Sequence, residues 1–130
     1  MKIEEHIKYW LESAVNDLEV AETLLKNQKY DWCLFIGHLV LEKTLKALYV
    51  RDNENQIPPR IHNLVRLAEQ TSLNLTEEQR IFLDEVSDFN IETRYPDYKN
   101  LFSEQCTREF ATLYFNKIKE FYKWLLSQLK

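Results

Sequence analysis

The chain has 130 residues, enough for one domain around one core, and its 45% hydrophobic and 29% charged residues match a soluble globular protein. Seventeen basic against 21 acidic residues give a formal net charge of -4, which excludes a whole-surface basic footprint for duplex nucleic acid but leaves room for a local basic site. One glycine and three prolines supply little material for tight hairpin turns, while Leu, Glu, Lys and Ala fill the long segments, so the expected class is all-α.

The first predicted helix runs from about Ile3 to Lys26, with Ile3, Ile7, Leu11, Ala14, Leu18, Ala21 and Leu25 recurring at three- and four-residue steps. Its opening, "MKIEEHIKYW", has no signal-peptide apolar core, and no apolar run in the chain approaches membrane-spanning length. A cytoplasmic protein with no membrane partner is the expectation. "NQKYD" is the only plausible turn before the next pattern, and so short a connection makes the first two helices antiparallel neighbours.

The second helix, about Tyr30 to Arg51, is the most apolar. At 100° per residue, Trp32, Ile36, Leu39, Val40, Ala47 and Val50 cover one broad face and Leu34, Leu41, Leu45 and Leu48 the adjoining one. Faces that wide predict contact with several helices or with a second subunit. The remaining narrow stripe carries Asp31, His38, Glu42 and Lys46, with Phe35 and Tyr49 among them. It reads first as the solvent side of the helix, because Lys and Glu are seldom fully buried unless paired. The alternative is a polar site inside an interface.

"RDNENQIPPR" is a polar stretch closed by two prolines, hence a loop, and "IHNLVRLAEQ" reads as a short third helix with Leu64, Leu67 and Ala68 inward. Thr76 followed by Gln79 has the capping-box pattern that starts a fourth helix, carrying Ile81, Phe82, Val86 and Phe89. That helix should stop before Pro96, since the residue preceding a proline is pushed out of the α region. A loop containing "RYPDYKN" is expected next. Ser103 is then expected to cap a long last helix with Cys106, Phe110, Leu113, Tyr114, Ile118, Phe121 and Leu125 as its stripe. Cys33 and Cys106 both lie in apolar patterns and read as buried free thiols. The sum is an up-and-down bundle of four to five helices.

Several chemistries have no support in the sequence. A single glycine makes no Gly-rich phosphate loop, and no Cys/His set has zinc spacing, so no metal and no cofactor is expected. His38 and Glu42 are four apart, but two ligands are too few for a metal, and such a pair is more often a surface hydrogen bond or weak ion pair. The carboxylates Asp84, Glu85, Asp88 and Glu92 read as a solvated acidic face.

Three features remain. One is the polar stripe, with Glu42, Lys43 and Lys46. In "PPRIHNL", His62 sits beside Arg60 where a helix begins; it either packs there or holds an anion at the helix N-terminus. In "ETRYPDY", Arg94 brings a fork of donors suited to phosphate or carboxylate, and Tyr95 and Tyr98 offer rings on which a base can stack. The bland reading, equally weighted, pairs Arg94 with Glu92 or Asp97 and lays the tyrosines over the core.

The order "YWLESAVNDLEVAETLL", "YDWCLFIGHLVLEKTLKALYV", "PPRIHNLVRLA", "ETRYPDY" and a long final helix resembles the HEPN domain over nearly the whole chain, most tellingly in "EKTLKAL", "IHNL" and "TRYPD". The resemblance implies a four- or five-helix bundle that commonly dimerises and works beside a small nucleotidyltransferase, in some cases as a toxin–antitoxin pair. Toxic members are metal-independent ribonucleases marked by an arginine, then four to six intervening residues, then a histidine. Here Lys99, Asn100 and Leu101 stand where that histidine would be, and no histidine follows His62. A metal-independent ribonuclease needs a group that takes and gives protons, so this departure lowers the enzymatic reading.

The sequence therefore favours a dimeric HEPN-type module that binds a nucleotide or other phosphate-bearing ligand. Lys46 and Arg94 are expected as phosphate partners, His62 as an anion contact and Tyr95 as a stacking surface. The alternative is an RNA-cleaving toxin that uses Arg94 with His62 as acid/base. A third reading is a purely structural dimer joined through the second helix.

Overall fold

The computed structural model describes residues 1–129, with the side chains of 96–100 outside the described set. Six helices occur among the described residues: α1 (Ile3–Lys26), α2 (Tyr30–Asp52), α3 (Leu64–Ala68), α4 (Glu77–Arg94), α5 (Pro96–Gln105) and α6 (Arg108–Gln128). They form an all-α bundle, as the composition requires.

The packing centres on α2. It touches α1, α3, α4, α5 and α6, and this accounts for its two adjoining apolar faces: Leu34, Val40, Leu41, Leu45, Leu48 and Val50 are all buried. Much of the breadth read from the sequence is thus used by the chain's own helices, while Trp32 stays 38% exposed. The three-residue connection after α1 folds α2 back along it, with Gln28 at φ 63 in the left-handed region that glycine would otherwise supply. The chain's glycine serves a different purpose. A Cβ on Gly37 would stand 2.9 Å from Ile118 Cδ1, so its absence lets α2 approach α6 closely.

Thr76 and Gln79 form the expected capping box at the start of α4. The inward line of α4 is Leu83, Val86, Phe89, Asn90 and Thr93, whereas Ile81 is turned outward. Two expectations at the next junction are corrected. The segment after Arg94 is the helix α5, not a loop, with Pro96 at its first position, where a missing N–H costs nothing. Tyr95 alone breaks the chain, capping α4 at its C-terminal end and preceding α5 in an extended conformation, as the residue before a proline must be.

The second correction concerns the last helix. Ser103 lies within α5, and Thr107 caps α6 by accepting a hydrogen bond from the Phe110 N–H. The inward stripe of α6 is Ala111, Phe115, Ile118, Phe121, Tyr122 and Leu125, so Ile118, Phe121 and Leu125 face inward as expected and Leu113 lies outside. Cys33 and Cys106 are free and buried, and burial pushes both thiols up to about 12. Among the described residues no helix is long and apolar enough to cross a membrane.

Candidate functional site

Helical periodicity puts His38, Glu42 and Lys46, each four residues apart, on one stripe of α2. Because α2 is the central helix, that stripe faces protein on every side. His38, Glu42 and Lys46 are buried, which overturns the solvent-side reading and also the surface-pair reading of His38 and Glu42. Lys43 is half-buried and reaches Asp17 of α1 at 2.6 Å.

Burying these groups requires pairing them. Glu42 is the hub. Its Oε2 accepts from Lys46 Nζ at 3.0 Å, and its Oε1 accepts from His62 Nδ1 at 2.8 Å. The Lys46 ammonium also lies over the Trp10 ring of α1, 5.2 Å from its centroid. Lys46 is therefore enclosed by Trp10 and Glu42.

His38 carries the network across to α4. Its Nε2 is 2.8 Å from the His62 carbonyl oxygen and its Nδ1 is 3.5 Å from Asn90 Nδ2. Burial pushes the imidazole below its ordinary 6.5, against the opposing pull of the His62 carbonyl and the Glu42 carboxylate 3.9 Å away. The ring is neutral, with its proton on Nε2. On α4, Asn90 Oδ1 accepts from Arg94 Nη1 at 3.0 Å, an i,i+4 pair along the helix.

His62 and Arg94 open onto the same cleft, of about 350 Å³, between the segment leading into α3 and the C-terminal half of α4. His62 and Asn63 form one side, and Asp88, Ile91, Arg94 and Tyr95 the other. With Nδ1 on Glu42, His62 keeps Nε2 for a ligand, and its side chain is 54% exposed. Tyr95 is 53% exposed. Among the described residues Asp88 is the cleft's carboxylate; burial, then its neighbours Asp84 and Glu85, push its pKa above the usual carboxylate value.

A profile of the HEPN domain matches residues 7–129. The chain belongs to the HEPN domain family. Its fold is also that of a solved structure, the crystal structure of TT1696 from Thermus thermophilus. The two superpose with a TM-score of 0.78 at 21% identity, over 93% of this chain and 96% of that one. Comparison with curated proteins gives no relative.

In this HEPN domain, three of the four residues chosen from the sequence, His62, Arg94 and Tyr95, share one cleft. Lys46 lies behind it and reaches His62 only through Glu42. Arg94 pairs with Asn90, while the side chains of Asp97, Tyr98, Lys99 and Asn100 lie outside the described residues. At the start of α3, a helix of five residues, two of the first three backbone donors are used within the protein. The Leu64 N–H bonds Ser87 Oγ and the Arg66 N–H bonds Asn63 Oδ1.

Among the described residues no group of three or more His, Cys, Asp or Glu side chains has the arrangement of a metal site. His38 and Asn90 are not among the site residues expected from the sequence. Their signals were present in the sequence, the four-residue step from His38 to Glu42 and from Asn90 to Arg94. Nothing in the sequence said that His38, Glu42 and Asn90 face inward.

Proposed function

We propose that this HEPN domain is a binding module whose cleft takes a phosphate-bearing, nucleotide-like ligand. Arg94 and the His62 ring contact the phosphate and Tyr95 stacks on the base. The single observation that supports the reading is that His62, Arg94 and Tyr95 line one cleft. Asp88 on the same cleft works against an anion, and its raised pKa lessens that opposition as the pH falls. Membership of the family supports a nucleotidyltransferase protein as partner, in a pair of the toxin–antitoxin kind. It supports a homodimer as well.

Calorimetric titration with inorganic phosphate and with nucleoside mono- and triphosphates tests the proposal. Binding that Arg94→Ala weakens by tenfold or more, on the order of one lost charge-assisted hydrogen bond, is the expected result. No heat with any of these ligands overturns it.

A second reading, cleavage of RNA, draws on the Glu42–His62 pair. A carboxylate on Nδ1 orients a histidine and leaves Nε2 to take or give a proton, which restores from another part of the chain the group missing after Arg94. RNA incubated with the wild type, His62→Ala and Glu42→Gln decides it. Cleavage that survives His62→Ala belongs to a contaminant and ends this reading.

A further inference from the structure

The link between the two walls of the cleft is a side chain that does not line it. His38 is fully buried on α2 and makes hydrogen bonds to both sides: Nε2 to the main chain of His62, and Nδ1 to Asn90, whose other end holds Arg94. We infer that His38 is the positioning residue of this cleft, fixing the His62 backbone directly and the Arg94 guanidinium through Asn90. The inference rests on the proposed binding role of His62 and Arg94 and adds the residue that sets their relative placement.

The hydrogen-bond directions are forced. The His62 carbonyl can only accept, so His38 Nε2 must carry the proton. In a neutral ring Nδ1 is then an acceptor alone, and the neighbouring Asn90 must offer it an N–H. That orientation turns Asn90 Oδ1 the other way, as an acceptor, towards the donors of Arg94. Each assignment dictates the next.

A histidine that merely filled the core would need partners but would impose no such order on them. The groups around the ring agree with the neutral form. Glu42 on α2 has its carboxylate committed to Lys46 and His62, and α4 contributes the uncharged Asn90. The longest link is the 3.5 Å contact to Asn90, so that is the joint a substitution breaks first.

Nitrogen-15 NMR of the ligand-free protein at neutral pH tests this without any assumption about binding. In the wild type, His38 should carry its proton on Nε2 and none on Nδ1, and the Arg94 guanidinium should rotate and exchange slowly. His38→Asn keeps an acceptor near Nδ1 and gives up the bond to His62; His38→Gln keeps a donor near Nε2 and gives up Asn90. Arg94 should therefore loosen in His38→Gln and stay held in His38→Asn, while the His62 amide region moves in His38→Asn. A merely structural role predicts no such division. An Nδ1–H tautomer in the wild type, which needs no variant to fold, overturns the inference, as does equal Arg94 mobility in both variants.

Titration with inorganic phosphate and adenosine monophosphate then separates the two claims. Weaker binding in His38→Gln by about fivefold, the scale of one ordinary net hydrogen bond, supports both. The predicted Arg94 pattern with no response to either probe upholds the positioning role and refutes the binding reading.

Discussion

Replacing Lys46 with methionine separates a ligand-contacting lysine from one that neutralises the interior. The residue is 7% exposed and Glu42 is 4% exposed, with 3.0 Å between Nζ and Oε2. Removing one partner from such a pair leaves an uncompensated buried charge, typically at a cost of about 3–5 kcal/mol. Here the lower end applies, because His62 Nδ1 stays 2.8 Å from the other carboxylate oxygen and shares the charge. Against a typical total stability of about 5–15 kcal/mol, a loss of about 3 kcal/mol is severe but survivable. With a urea slope of about 2 kcal/mol per molar, the unfolding midpoint should fall by about 1.5 M.

Adding Glu42→Leu to Lys46→Met removes the stranded carboxylate and should recover most of that loss, since apolar replacements of buried pairs are often neutral. Urea unfolding followed by circular dichroism measures both variants. The folded fraction of Lys46→Met should bind phosphate ligands much as the wild type does. A midpoint unchanged in Lys46→Met, together with lost phosphate binding, would return Lys46 to the ligand.

The buried His38 makes stability depend on pH. Its pKa in the fold lies below the unfolded 6.5, so the unfolded chain binds the proton first, and stability present above 6.5 is lost as the pH falls through and below that value. The loss approaches about 1.4 kcal/mol per pH unit and should be missing from His38→Gln in unfolding curves at stepped pH; parallel curves would contradict it. Asp88 runs the opposite way. Its pKa in the fold is raised above 3.8, so the fold carries a burden that sets in as the pH rises through the raised value. Asp88→Asn should gain stability and phosphate affinity at neutral pH, with both gains fading below about pH 4; a gain independent of pH would show that charge is not the cause. At the closest approach of α2 to α6, Gly37→Val should lower stability by about 1–3 kcal/mol through overpacking. Gly37→Ala should be nearly neutral in thermal melts, since helix propensity offsets the displaced Ile118 methyl. Equal melts for the two variants would argue against a tight contact.

Helices whose signals are local are legible from the residues alone. The capping box at Thr76, the apolar period of α1 and the near-absence of glycine all act within a few residues, so they survive without knowledge of the partners. Where two local signals competed, the reading failed. Pro96 marks a helix end when read from its N-terminal side and a helix start from its C-terminal side, and the chain uses both, one residue apart.

Three cleft residues were legible because arginine, histidine and tyrosine are conspicuous at a helix break. The polar stripe of α2 was legible as a stripe, but its direction was not. Periodicity says which residues share a face, and only packing says what that face meets. Trp10 from α1, His62 from the segment before α3, and Asn90 from α4 close over His38, Glu42 and Lys46. Those three partners come from parts of the chain far apart in sequence, and their meeting turns what read as a solvated face into the buried support of the cleft.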